Sequence, residues 1–294
     1  MCVHGHPWRC GSAGELGPGS VRVARYNTHI DVKTFPSRPR SAVTRLGAVA
    51  WPTEMVATAS APTQSSRPDG RIGAQLRPLA AEPGALARAD GSARFGHGAT
   101  EVMVAVYGPC EAKRTREQID GLVLDVIVRP TAGLPGPIER ESEQLIAQAL
   151  AHLVLTAHHP RMAICVVVQV LADDGALLAV AMHGACLALV HAGVPLRGML
   201  AGCTAAVLVD GAVLLDPCAD EERNAQAVVT SLFCVRMRAG GSLERQLILS
   251  HARGCVTAHA QHAACDGAAR EAAACVTAFY RQAMERQTMA LVRK

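Results

Sequence analysis

RPDGRIGAQLRPLAAEPGALARADGSARFGHGATEVMVAVYGP, residues 67–109, decides how the chain is read. Pro68, Asp69 and Gly70 form a turn signal, so ordered sequence is expected to begin near Arg67. Ala93–Phe95 and Glu101–Tyr107 read as two strands joined by a turn through Gly96 and Gly98.

Downstream, Leu122–Arg129 is a third strand, followed by the Pro- and Gly-dense loop PTAGLPGP. Glu139–Ala157 reads as a helix with Leu145, Ile146, Ala149, Leu150, Leu153 and Val154 on its apolar face, ended by His158-His159-Pro160. Met162–Ala172 is nearly continuous in apolar residues and reads as a central strand. Gly175–Ala192 is an apolar helix that Gly193 terminates. Gly202–Val209 and Ala212–Leu215 form a hairpin through Asp210-Gly211. Val228–Met237 and Arg245–Leu249 form another strand pair across Gly240-Gly241, and Cys255–Leu291 is a closing helix with a potential break at Gly267. The order predicts one mixed α/β domain of the α+β class, residues 67–294. Upstream, residues 1–66 are rich in Pro, Ser, Thr, Gly and Arg without periodicity. They read as a low-complexity, disordered extension, with a faint organellar-presequence character over 18–52.

Half of the 294 residues are hydrophobic and 18% are charged, enough to build a core and against wholesale disorder. The net charge of +4 sits upstream: residues 1–66 hold seven basic and three acidic residues, and the remainder is balanced. A neutral domain has no global field to hold nucleic acid, so any RNA contact must come from a local patch or from partners. The eleven cysteines contain no C-x-x-C pair and lie mostly in apolar stretches, which fits a reducing compartment better than a disulfide framework. Residues 175–196 carry no charged side chain, but His183, His191 and three glycines favour a buried helix over a membrane span.

Five blocks in order, Arg67-Pro68-Asp69-Gly70-Arg71, Leu76-Arg77-Pro78, Ala89-Asp90-Gly91-Ser92, Gly98-Ala99-Thr100 and Val106-Tyr107-Gly108-Pro109, resemble the opening of RNase PH-type domains. Arg129-Pro130 with Gly133-Leu134-Pro135-Gly136, His159-Pro160-Arg161, Val168-Gln169-Val170 and Ala192-Gly193-Val194-Pro195-Leu196-Arg197 resemble the non-catalytic ring-subunit type of the eukaryotic RNA exosome. Asp210-Gly211 and Leu215-Asp216-Pro217 complete the pattern, with His191 and Leu196 as departures where the family has Asp and Met. The resemblance covers residues 67–290. It implies an RNase PH fold and a six-membered ring of related subunits capped by RNA-binding proteins and threaded by single-stranded RNA. It further implies a nuclear, nucleolar and cytoplasmic location and no cofactor. Catalytic members cleave RNA from its 3′ end with inorganic phosphate, releasing nucleoside diphosphates.

That chemistry needs groups to hold a dianionic phosphate and carboxylates to hold a metal or assist the leaving oxygen. Active members carry Gly-Arg-Thr before the first long helix, where this chain has Pro137-Ile138-Glu139, with Glu141 and Glu143 close by. An acidic helix start, favourable with the helix dipole, accounts for these carboxylates. Active members carry Gly-Gly-Thr-Arg-Thr before the second helix, where this chain has Gly175-Ala176-Leu177-Leu178-Ala179. Asp216 and Glu222 fall at the family's two catalytic carboxylates and read as vestigial. Asp216 either faces a cleft or caps a strand, and Asp220 and Glu221 are adjacent alternatives. Arg129, Arg140 and Arg161 are candidate RNA contacts on one surface. The expectation is therefore a structural subunit without turnover. Two alternatives stay open: an active phosphorolytic 3′ exoribonuclease, and a metal-dependent nuclease acting outside the exosome through Asp216 and Glu222.

Cys255, His259, His262 and Cys265 are zinc-type ligands. Their span of about 15 Å along one helix is too long for a single tetrahedral ion, so no metal site is expected. No Ser-His-Asp arrangement can be assembled from the sequence, and no G-x-S-x-G or P-loop occurs.

Overall fold

The computed structural model describes residues 44–45, 67, 69–238, 242–256 and 258–292. Of residues 1–66, only β1 (Thr44–Arg45) is described, as a short edge strand; the rest of the expected extension lies outside the described residues. The Gly240-Gly241 turn lies outside them too.

Two sheets enclose a buried helix. The first runs β1-β2-β3-β4-β6-β5, with β2 Leu79–Pro83, β3 Gly91–His97, β4 Thr100–Glu111, β5 Val123–Arg129 and β6 Met162–Ala172. Its pairs are antiparallel except the parallel pair β5–β6. The second runs β10-β9-β7-β8, all antiparallel, with β7 Met199–Val207, β8 Val213–Leu215, β9 Ala227–Met237 and β10 Leu243–Gly254. The central place predicted for β6, between β4 and β5, is observed.

Helix α2 (Leu177–His191) lies between the sheets, against β3, β4 and β7. Every residue from Ala179 to Leu189 is buried, which is why the segment carries no charge. Gly184 allows the close approach: a Cβ there would lie 2.9 Å from a Val104 methyl. Phe95, His183 and Tyr280 pack edge to face in this core, and the Tyr280 hydroxyl donates to the Leu200 carbonyl. Burying each large apolar side chain contributes about 1.5–3 kcal/mol. Helix α1 (Pro137–Leu153) covers β5, and α4 (His259–Val292) covers β7 and β9. Among the described residues, no helix is long and apolar enough to cross a membrane.

Several boundaries differ from expectation. Strand β2 was not expected. Helix α1 stops at Leu153 because Val154 turns extended and bridges Leu196. Strand β10 runs to Gly254, and α4 begins at His259 and continues through Gly267. The short helix α3 (Ala219–Asn224) sits where the sequence showed only a run of acidic residues.

Candidate functional site

Strand β6 delivers Asp173–Ala176 to the start of α2, and the turn after β8 delivers Asp216 beside it. Gly175 has φ +85, and a Cβ would lie 2.7 Å from the Pro217 carbonyl, so only glycine lets the two turns meet. Ala176 is left-handed at φ +54 and offers α2 no side-chain cap. Its N–H instead donates to Glu222 Oε1 at 2.6 Å, which brings α3 onto the end of α2. Leu177 and Leu178 occupy the first turn and pack on the core.

Asp216 does not face a cleft. It is wholly buried and left-handed, with φ +53, a conformation short polar side chains tolerate. Arg77 donates its backbone N–H at 2.7 Å and Nε at 3.0 Å to Oδ2, and Nη2 at 2.8 Å to Oδ1. His97 Nε2 lies 3.2 Å from Oδ2, and Arg71 Nη1 lies 3.6 Å away. Burial pushes the Asp216 carboxyl up, but His97 and Arg77 outweigh it and hold the group below its ordinary range. Burial holds His97 low as well.

The same arginine fixes the start of α2, donating Nη1 to the Asp174 carbonyl at 2.7 Å and Nη2 to the Gly175 carbonyl at 3.2 Å. Thr100 Oγ1 also donates to Gly175, at 2.7 Å. Arg67, 3% exposed, grips Glu221 through Nε at 2.8 Å and Nη2 at 2.6 Å and donates to the Leu215 and Asp216 carbonyls. Arg67, Arg71 and Arg77 thus converge on one acidic turn about 140–150 residues downstream. The sequence reading quoted these arginines as motif letters and missed their role. Their signal was present: three arginines at a domain entry need carboxylates if they are buried.

Glu222 is half-buried, and burial pushes its carboxyl up. Asp173 lies close enough to push it further up, while Arg253 and Arg77 act the other way. The glutamates of α1 are also spent internally. Glu139 Oε2 accepts the Gly136 N–H at 2.7 Å, Glu143 accepts that of Val128 at 2.9 Å, and Glu141 lies 3.3 Å from His251 Nε2.

Of the candidate RNA-contacting arginines, Arg161 lies far from Arg129. Because β5 and β6 are parallel, Arg129 pairs with Gln169 near the end of β6, whereas Arg161 precedes its start. The eight residues from Arg161 to Gln169 separate those ends by about 26 Å. Arg161, at φ +61, lies 3.6 Å from Glu117. Arg129 lies at the sheet end that carries the start of α2, and Arg140 is exposed on the first turn of α1.

Among the described residues, no cluster of three or more His, Cys, Asp or Glu has metal-holding geometry. Cys255 precedes α4 rather than lying on it, and Cys265 is buried. His262 and Asp266 come near Ser250 in space, but Ser250 donates directly to Asp266 Oδ1 at 3.3 Å, so the three do not form a relay.

The family model described as "3′ exoribonuclease family, domain 1" matches residues 75–195. The rice protein named exosome complex exonuclease RRP46 homolog is 36% identical over 181 residues, covering 62% of this chain and 76% of the relative. Its Arabidopsis thaliana counterpart is 35% identical over 167 residues, covering 57% and 70%. The crystal structure of rice Rrp46 superposes with a TM-score of 0.69 at 33% identity, over 74% of this chain and all of that one. An Archaeoglobus fulgidus exosome structure shares the fold, with a TM-score of 0.62 at 19% identity, over 74% of this chain and 93% of that one. On sequence and architecture together, the chain belongs to the RNase PH family, alongside its RRP46-type members.

Proposed function

We propose that this chain is a non-catalytic ring subunit of an RNA exosome, supporting 3′-to-5′ RNA processing and turnover without performing phosphorolysis. One observation carries the reading: the free N–H at the start of α2 is taken by the chain's own Glu222 at 2.6 Å. A helix N-terminus is a ready anion site. Here an internal carboxylate occupies it, two leucines follow where active members place Thr and Arg, and Asp173 adds a further negative charge beside it. Asp216 is consumed by Arg77 and has no free face for a leaving oxygen.

The partners in this reading are other RNase PH-like ring subunits, RNA-binding cap subunits and single-stranded RNA in the ring. Arg129 and Arg140 are the remaining candidates for phosphate contacts, which position RNA without reading its sequence. The compartments are nucleus, nucleolus and cytoplasm, as for the exosome.

The test is phosphate-dependent release of nucleoside diphosphates from single-stranded RNA, by the purified chain and by its co-purified complex. Glu222→Gln is the matched variant, because it leaves the Asp216 network intact. No release from the chain alone, and complex activity unchanged by the substitution, is the expected result. Phosphate-dependent release that falls with Glu222→Gln overturns the proposal.

A further inference from the structure

The far end of α2, about 22 Å from its start, adjoins a basic surface with an apolar rim that the proposed function does not use. The segment after α2 is pinned to the end of α1: Leu196 bridges Val154, and the Arg197 N–H donates to the Leu153 carbonyl at 2.8 Å. Gly198 then brings the start of β7 against β9. A Cβ there would lie 2.6 Å from Arg236 Cγ and 2.7 Å from Cys234 Sγ, so glycine leaves room for the Arg236 side chain.

Arg197 and Arg236 line two cavities at once. One, of about 200 Å³, also holds His152 from the last turn of α1 and Gln246 from β10. The other is more open, about 470 Å³, and its wall includes Val190, Val194, Leu196, Met199, Val235 and Met237. No carboxylate lines either cavity. Arg236 donates Nη2 to the neutral Gln246 Oε1 at 3.0 Å, and its Nε is buried without a partner. The Arg197 side chain is exposed and enters no hydrogen bond or ion pair among the described residues. Glu244, cross-strand from Arg236, gives its two oxygens to Arg238 at 2.8 and 3.1 Å. A buried donor without an acceptor is unfavourable, and an incoming anion relieves it.

The rim is apolar. Met237 and Leu243 oppose each other in the β9–β10 register and are 59% and 41% exposed. Leu247, 43% exposed, precedes the register shift at Ile248. Apolar side chains grouped around two arginines without counter-ions mark a contact surface. Its occupant must carry a negative group and an apolar group close together. Single-stranded nucleic acid fits poorly, because its bases stack on aromatic faces and no Phe, Tyr or Trp lines either cavity. A peptide supplies both groups on adjacent residues.

We propose that this surface docks an acidic, apolar-flanked peptide segment of a partner protein. A Glu or Asp carboxylate accepts from the Arg197 and Arg236 guanidinium groups, and the neighbouring apolar side chain enters the larger cavity. Arginine suits the task, because its planar fork matches a carboxylate. The surface is separate from the start of α2 and does not depend on whether the chain catalyses.

The full-length protein is titrated into fluorescein-labelled Gly-Leu-Glu-Leu-Glu-Leu-Gly, and into its Gln and Lys counterparts, and read by fluorescence anisotropy. The acidic peptide should bind at least about tenfold tighter than the Gln peptide, the effect expected of one hydrogen bond to a charged group. Arg197→Glu with Arg236→Glu should reverse the preference toward the Lys peptide. Met237→Ser should weaken the acidic and Gln peptides alike. Thermal melts show whether each variant is folded, and Arg197→Glu, at an exposed position, carries the test alone if the double variant does not fold. Three outcomes overturn the inference: no acidic-peptide binding tighter than about 1 mM, equal affinity for the Gln peptide, or unchanged acidic-peptide affinity in folded Arg197→Glu. A labelled oligouridylate that binds through Arg197 where the acidic peptide does not overturns it too and assigns the surface to RNA.

Discussion

Asp216→Asn separates a structural role from a chemical one. The substitution keeps the shape of the side chain and removes its charge. It leaves the Arg77 guanidinium, 6% exposed, without its counter-ion at 2.8 Å. Breaking a buried ion pair from one side costs about 3–5 kcal/mol, out of a total stability of about 5–15 kcal/mol for a native domain. At a urea slope of about 2–3 kcal/mol per molar, the unfolding midpoint falls by about 1–2.5 M. The damage is shared, because Arg77 also holds the Asp174 and Gly175 carbonyls. The start of α2 should therefore loosen with it. Replacing both partners, Arg77→Met with Asp216→Leu, removes the pair as a unit and should recover a large part of the loss. The assay is equilibrium urea unfolding followed by circular dichroism on the two single variants and the double. A midpoint within about 0.3 M of the parent for Asp216→Asn, less than about 1 kcal/mol at that slope, refutes the structural reading. So does a double variant whose loss equals the sum of the singles.

Burial pushes His183 down to about 3. The unfolded chain therefore binds its proton near the ordinary 6.5 while the folded chain refuses it. Stability from this site is complete above pH 6.5 and is lost as pH falls toward 3; between pH 7.5 and 5 the loss is about 2 kcal/mol. His97 shifts in the same direction and adds to it; urea midpoints at the two pH values should differ accordingly, and His183→Leu should flatten the difference. Gly175→Ala forces a side chain into a left-handed site against the Pro217 carbonyl and should cost about 1–3 kcal/mol, read as a lower melting temperature. Glu222→Ala frees the Ala176 N–H and should cost about 1 kcal/mol, the loss of a helix cap. It should not create phosphorolysis, because Leu177 and Leu178 remain.

The sheets and helices were legible because each carries its own period. β6 is a nearly continuous apolar run rich in β-branched residues, and the uncharged stretch 175–196 had to be buried on every side. Strand β2 was not legible: Leu79–Pro83 is five residues long and contains a proline. Nor was the end of α1, since Val154 and Leu155 keep the apolar pattern while the backbone turns extended to bridge Leu196. At the site, the apolar substitutions at 176–178 could be read directly, because they replace one side-chain chemistry with another. The partners of Asp216 could not, because Arg77 lies 139 residues away and nothing in either local pattern specifies the pairing. The same holds for Ser250, His262 and Asp266, which a strand register and a helix face bring together.

The three arginines change what the resemblance itself can mean. Arg67, Arg71 and Arg77 belong to the blocks by which the chain most resembles RNase PH-type domains, and in the folded chain all three hold the Asp216–Glu221 turn. A buried guanidinium is tolerated only where carboxylates and carbonyls surround it, so these residues and the acidic turn constrain one another regardless of catalysis. Agreement at those positions is agreement about how the two sheets are tied together. Activity has to be argued elsewhere, at the start of α2 and at Glu222, where the positions are free to change without unfolding the domain. There Leu177 and Leu178 begin α2, and the Ala176 N–H is held by the chain's own Glu222. On the proposed non-catalytic reading, the tie is kept for the fold while the start of α2 is released from anion binding.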